Sequence, residues 1–311
     1  MSAHAGIPAD PAAWRIGFVG YGEVGRTLSE DLRKAGVADV RAYDIKLGTG
    51  LEAPLVEHAG AHGVALDASH AELAARVDLV VSAVTASQAV PVARACAPGL
   101  RAGTWFLDFN SASPNAKIRA AGVVDGTGAR YVEGAVMTSV PPHRIRVPLL
   151  LGGPSAAALA PLLNALGFAA TAGPERLGVA SATKLARSVM IKGLEAMVVE
   201  SFTTARAYGV EDEVLASLAE TFPGIDWEKQ GAYFFQRVVQ HGRRRAEEMR
   251  EAAQTVRDAG LEPWSASGTA ERQAWVADLA DRGVMGSRDE KRTDWRMDAD
   301  RILAELRKPR A

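Results

Sequence analysis

The chain has 311 residues, 48% of them hydrophobic and 23% charged, with a formal net charge of −1. That is long enough for two domains with cores of their own, and too near neutrality to favour nucleic acid or an anionic membrane as partner. Its one cysteine, Cys96, rules out an internal disulfide. Met1 to Pro11 lacks the basic start and apolar core of a signal peptide, and no apolar run has membrane-spanning length, so a soluble cytoplasmic protein is expected.

Residues 1–13 read as a loose lead-in. Trp14–Gly20 is an apolar strand that runs into Tyr21-Gly22-Glu23-Val24-Gly25. Gly20, Gly22 and Gly25 thereby fit the Gly-x-Gly-x-x-Gly turn from strand to helix. The first permits the tight turn, the second lets backbone approach a pyrophosphate, and the third lets the helix pack on the sheet. The helix start, with Glu23 and Val24, presents N–H groups and a positive dipole end to the phosphates. A second strand, Val40–Asp44, ends on an acid placed to accept from a ribose 2′-hydroxyl. Asp44 would repel a 2′-phosphate, so NAD is the expected cofactor; Lys46 nearby leaves NADP open. Taken alone, the fingerprint also fits a glycine-rich turn of some other α/β fold.

Short β-type runs alternate with Ala-rich helical ones up to Pro174, the pattern of a mostly parallel sheet. Strands are expected at 78–84 and 104–110, both apolar enough to be covered on two faces. Others fall at 131–136 and 147–151, with a helix over 155–166 and a short run near Ala169. From Glu175 to Tyr208 only Gly178 and Gly193 weaken a helix of roughly 50 Å. It is apolar nearly all round, which predicts burial among helices or in a subunit interface. Helices follow at 211–221, 227–258, 269–281 and 292–307. The expected architecture is an α/β Rossmann domain over 14–174, a connecting helix over 175–208, and an all-helical domain over 209–311, with the active site in the cleft between domains.

On the connecting helix, Lys184, Ser188 and Glu195 fall on nearly one face, and Lys192 lies about 80° round from Lys184. A lysine in a largely apolar helix is costly to bury charged, which makes Lys184 a candidate general base. The competing readings are that Lys184 reaches solvent, or that Lys192 and Glu195 form an i, i+3 pair.

Four segments, in order, resemble the β-hydroxyacid dehydrogenase family, which includes 6-phosphogluconate and 3-hydroxyisobutyrate dehydrogenases. The first is the Gly20–Gly25 fingerprint. The second is Asp108-Phe109-Asn110-Ser111-Ala112-Ser113-Pro114, resembling the family's substrate motif. The third is Tyr131-Val132-Glu133-Gly134-Ala135-Val136, similar to its Phe-Val-Asp-Ala-Pro-Val strand. The fourth is Gly178-Val179-Ala180-Ser181-Ala182-Thr183-Lys184-Leu185, similar to its Gly-x-Gly-x-x-x-Lys-Leu segment. The resemblance implies that Lys184 is the general acid/base, that Asn110 and Ser111 hold substrate, and that Val84 and Thr85 line the cofactor. The chain departs from the pattern where Met137-Thr138-Ser139 stands in place of the family's Ser-Gly-Gly. It departs again where Ser188 stands in place of asparagine, so the pocket for the substrate's acid group is rebuilt. The helical region resembles the phosphogluconate-dehydrogenase-like C-terminal domain of a less characterised branch, which implies a homodimer.

His241 and Arg243–Arg245 form a basic stretch in which His241 and Arg245 are candidate ligands for a carboxylate or phosphate. The alternative is a solvated face balanced by Glu247, Glu248 and Glu251. His58 and His62 have metal-ligand spacing but no third ligand nearby in sequence, so no metal is expected. His143 has no evident partner. Cys96 reads as core, and Trp227 with Tyr233–Phe235 as core or interface. The resulting expectation is an NAD-dependent dehydrogenase acting on a small anionic hydroxy acid, or on its aldehyde or ketone product. The rivals are an imine reductase, a non-catalytic NAD(H)-binding regulatory protein, and a sugar-acid phosphate dehydrogenase using Arg243–Arg245.

Overall fold

The computed structural model describes residues 7–308, which divide into two compact units on either side of the Leu185–Ala186 bond. In chain order the first unit holds β1 (Arg15–Val19), α1 (Glu23–Lys34), β2 (Asp39–Tyr43), α2 (Ala53–His62), β3 (Ala65–Leu66), α3 (His70–Arg76) and β4 (Leu79–Ser82). It continues through α4 (Ala89–Cys96), β5 (Trp105–Asp108), α5 (Pro114–Asp125), β6 (Arg130–Val136), a single turn α6 (Val140–His143), β7 (Pro148–Gly152), α7 (Ala156–Ala165) and β8 (Ala169–Ala172). The helix α8 (Val179–Tyr208) begins in this unit and ends in the second, which adds α9 (Glu211–Thr221), α10 (Trp227–Asp258), α11 (Trp264–Asp281) and α12 (Trp295–Leu306). The α/β Rossmann domain followed by helices is therefore as the sequence pattern predicts.

The eight strands form one sheet in the order β3-β2-β1-β4-β5-β6-β7-β8. The pairs through β6 are parallel; β6–β7 is antiparallel and β7–β8 parallel again. Six strands in the order 3-2-1-4-5-6 are the doubly wound dinucleotide-binding arrangement, whose direction of growth reverses between β1 and β4. β4 is buried along its whole length, as a central parallel strand must be when helices cover both faces.

Four boundaries differ from the sequence reading by more than two residues. The lead-in is not loose from Ile7 onward: Asp10 caps a short turn over Pro11–Ala13, and the buried Trp14 donates its Nε1–H to the Pro8 carbonyl at 2.7 Å. α8 starts at Val179, because Gly178 holds φ +88°, a left-handed conformation that cannot continue a helix. α11 starts five residues early, at Trp264. The cost of Gly268 inside a helix, about 1 kcal/mol, is outweighed by burial of Ala266, Ala270, Val276 and Ala277. α12 starts three residues late, at Trp295, where Asp294 caps it. Arg292 instead lies buried before the helix, donating to Asp298 at 2.7 Å and to the Met285 carbonyl at 2.9 Å.

The second unit has its own core, centred on Phe202, Phe235, Val238, Val239 and Trp295. Trp227 and Phe234 join it while Tyr233 stays half exposed, which settles most of that aromatic group as core. Gly242 makes the α10–α11 contact possible: a Cβ there would sit 2.7 Å from the Gln273 carbonyl oxygen.

Candidate cofactor and active site

The glycine loop is shaped as the fingerprint requires. Gly20 has φ +89°, and a Cβ on it would meet the Ala83 carbonyl oxygen at 2.4 Å. A Cβ on Gly25 would lie 2.2 Å from the Gly20 carbonyl oxygen, so only glycine lets α1 start so close to β1. Gly22 is the opposite case, exposed and with open space around it, the room that an approaching pyrophosphate needs. Arg26 is the first residue to close onto Gly22; the N–H groups of Glu23, Val24 and Gly25 precede the first full helical turn, where a helix start offers N–H groups to an anion. Gly25→Ala should therefore weaken NADH binding sharply by pushing α1 off β1; fluorescence titration with NADH checks this, and unchanged affinity would contradict the packing role.

Asp44 directly follows β2 with its carboxylate already oriented. Oδ2 accepts from the Tyr21 N–H at 2.8 Å and Oδ1 from the Lys46 N–H at 3.0 Å. Each oxygen keeps a second lone pair for a ribose hydroxyl. Lys46 touches the acid through its backbone while its side chain is exposed.

The loops after β4 and β5 are tied together by Asn110. Its Oδ1 accepts from the Val84 N–H at 2.7 Å and its Nδ2 donates to Ser82 Oγ at 2.9 Å, and it is buried. Both ends of the amide are thus engaged in holding Val84 and the exposed Thr85 beside the glycine loop. Asn110 therefore braces the two loops, using one of its two amide N–H groups and one of its oxygen's two lone pairs.

Register places Ser82 and Asp108, at the carboxyl ends of β4 and β5, in one row with Glu133 in the middle of β6 and Gly152 of the antiparallel β7. Beneath this row lies a buried network that motif reading did not identify. Lys117 Nζ pairs with Asp108 Oδ1 at 2.9 Å, and the Tyr131 hydroxyl donates to Asp108 Oδ2 at 2.8 Å. Burial first, and then Asp108 and Glu133 nearby, push the Tyr131 hydroxyl well above its ordinary range, so it remains a donor. The i, i+3 placement of Pro114 and Lys117 on a helix following Asp108 was the only sequence signal for this pair.

Glu133 is fully buried and faces the start of α8. Its two oxygens accept from the Gly178 N–H at 2.7 Å and the Ser181 N–H at 2.5 Å. A carboxylate at the positive end of a helix with unsatisfied N–H groups is doubly favourable. The helix thus anchored presents Lys184, whose Nζ donates to Ser111 Oγ at 2.6 Å. Ser111 lies one residue beyond Asn110 on the loop after β5, at the carboxyl edge of the sheet beside the switch point.

The candidates in the second unit are arranged differently from the sequence reading. Lys192 and Glu195 do not pair with each other: Lys192 pairs with Glu248 on α10, and Glu195 with Arg245. Lys192 Nζ also lies 3.5 Å from Ser188 Oγ. Arg245 is buried, and Gln273 Nε2 donates to the same Glu195 at 3.3 Å, so Arg245 belongs to a buried ion pair and not to a solvated face. Arg243 instead bridges Asp278 and Asp281 of α11 at the surface, and Arg244 pairs with Glu248. Burial, reinforced by Arg237, Arg244 and Arg245, pushes His241 down to about 4, so it is neutral at pH 7. Cys96 is buried, and burial pushes its thiol up to about 12, which removes it as a nucleophile. Among the described residues no helix is long and apolar enough to cross a membrane.

A doubly wound sheet with an open glycine loop at its switch point and an acid at the end of β2 defines a dinucleotide-binding protein. Residues 15–173 match the NAD-binding domain of 6-phosphogluconate dehydrogenase, and the chain belongs to that family. Residues 205–276 match a domain of unknown function, DUF1932. A solved conserved hypothetical protein from Sinorhizobium meliloti 1021 is 34% identical, with 94% of this chain and 96% of that one covered at a TM-score of 0.75. A second solved protein of unknown function, described as structurally similar to 3-hydroxyacid dehydrogenases, is 27% identical over 86% of this chain and 99% of its own, with a TM-score of 0.66. The mitochondrial 3-hydroxyisobutyrate dehydrogenase of Drosophila melanogaster is 26% identical over 69% of this chain and 65% of its own length. The protein is thus a 3-hydroxyacid dehydrogenase-like, NAD(P)-binding protein.

Proposed function

We propose that the chain is a dehydrogenase that moves hydride between NAD and a small anionic hydroxy acid, or its aldehyde or ketone product. The observation that supports this most is the 2.6 Å contact of Lys184 Nζ with Ser111 Oγ, two polar groups at the carboxyl edge of a dinucleotide-binding sheet. Nicotinamide, when bound, accepts or returns hydride at C4. Neutral Lys184 takes the substrate's hydroxyl proton on Nζ during oxidation, and its ammonium form returns that proton during reduction. Ser111 Oγ orients Nζ and offers its own proton to the substrate oxygen. Within the second unit, the buried pairing of Arg245 with Glu195 makes it a support for the helices there and not a ligand.

Absorbance at 340 nm with NAD and a panel of 3-hydroxy acids and aldonates tests the reading; silence across the panel by protein that binds NADH would overturn it. The fixed carboxylate of Asp44 supports NAD over NADP. Asp44→Ser should raise the NADP/NAD ratio of kcat/KM by about tenfold, the equivalent of ~1.4 kcal/mol of relieved repulsion, and an unchanged ratio would remove Asp44 from cofactor choice. The same reading has the protein in the cytoplasm and as a homodimer, the dimer being supported by Met190 and Met197, which stand 72% and 61% exposed on α8.

A further inference from the structure

The pairing of His58 and His62 with a third ligand is hidden in the sequence, because that ligand, Glu30, lies 28 residues upstream on another helix. α1 and α2 pack side by side and bring the three together: one ligating atom from each of Glu30, His58 and His62 lies within 4.8 Å of the other two, and all three residues are half-buried. The imidazoles of His58 and His62, one turn apart on α2, are tilted toward each other with ring centroids 4.4 Å apart. Behind them the Tyr21 hydroxyl sits 2.8 Å from His58 Nδ1. A hydrogen bond on one ring nitrogen fixes the tautomer and leaves the other nitrogen as ligand, the usual support of a metal-bound histidine.

We propose that Glu30, His58 and His62 form a binding site for a divalent transition cation, with Zn²⁺ as its occupant. Two imidazoles and a carboxylate suit borderline cations such as zinc and leave a fourth position for water. A tetrahedral set at zinc distances needs ligand atoms about 3.4 Å apart, so the three side chains close by roughly 1 Å. Lys34 and Arg144 already pair with the Glu30 carboxylate. Those two cations are the competitors. Lys34 contacts Oε1 at 2.5 Å and Arg144 contacts Oε2 at 2.9 Å, yet each oxygen has a second lone pair and Lys34 is largely exposed. The site has a direct connection to the cofactor loop, because Tyr21, which touches His58, also donates its N–H to Asp44. A bound cation would fix His58, and through it the Tyr21 side chain.

The test is metal uptake by the full chain, independent of any activity. Chelator-stripped protein is equilibrated with a small excess of Zn²⁺, desalted, and its zinc content measured by plasma mass spectrometry alongside the thermal midpoint. One zinc per chain and a raised midpoint are expected for the wild type. Glu30→Gln and His62→Gln should each abolish the uptake while keeping the wild-type circular dichroism and NADH affinity. Tyr21→Phe should weaken zinc affinity by about tenfold, as loss of a supporting hydrogen bond does. The proposal is overturned if the wild type takes up no zinc, or if zinc uptake by folded His62→Gln protein equals that of the wild type.

Discussion

Lys184→Ala should lower turnover by about 10²–10⁴-fold, the range lost when a positioned general acid/base is removed, while NADH binds as before. The separation is expected because the glycine loop and Asp44 make none of their observed contacts through Lys184. Lys184→Arg sharpens the point. Its guanidinium keeps a cation beside Ser111 but stays protonated at any usable pH, so it cannot accept the hydroxyl proton. If Lys184 served only to attract an anionic substrate, the arginine variant would retain activity. If it moves a proton, the two variants should be about equally slow in the oxidative direction. Steady-state kinetics beside NADH titration distinguish these outcomes, and full turnover by Lys184→Ala would remove lysine catalysis altogether.

The parts of the fold that were legible in the sequence are those dictated by local rules. Gly20 and Gly25 sit where the backbone demands glycine, each for a different steric reason, while Gly22 keeps open space for an approaching ligand. Strands such as β4 are read from continuous apolarity, because both of their faces are covered. Partners brought together from distant positions were not legible. Asn110 resembles a substrate ligand in its motif, but the motif does not show that its amide also ties Val84 to Ser82, 26 and 28 residues away. The Arg243–Arg245 run looks like one basic face. The helical period, however, turns Arg245 inward to Glu195 while Arg243 reaches across to α11. Glu30 could not be joined to His58 and His62 until α1 and α2 were packed. Two helix starts were misplaced where a single residue decided them, as Gly178 does for α8 and Asp294 for α12.

Glu133 shows how such a distant pairing reaches the chemistry. The residues around it in β6 were read as a family-like strand, but its carboxylate is the N-terminal anchor of the helix that presents Lys184. Glu133→Ala should destabilise the protein by roughly 1.5–3 kcal/mol, because the Gly178 and Ser181 N–H groups lose a charged acceptor in a site that water does not reach. Glu133→Gln is the more informative change. It keeps the volume and one carbonyl oxygen but turns an NH₂ toward one of the two N–H groups, so the first turn of α8 must shift. A displacement of about 1 Å at a reacting group costs on the order of 100-fold in rate. The glutamine variant should therefore show a large fall in kcat with NADH affinity unchanged, out of proportion to its loss of stability. A purely structural Glu133 would behave otherwise: at a temperature where both proteins are fully folded, kcat would match the wild type. That comparison separates an anchor that merely holds the fold from one that sets where the Lys184 nitrogen stands.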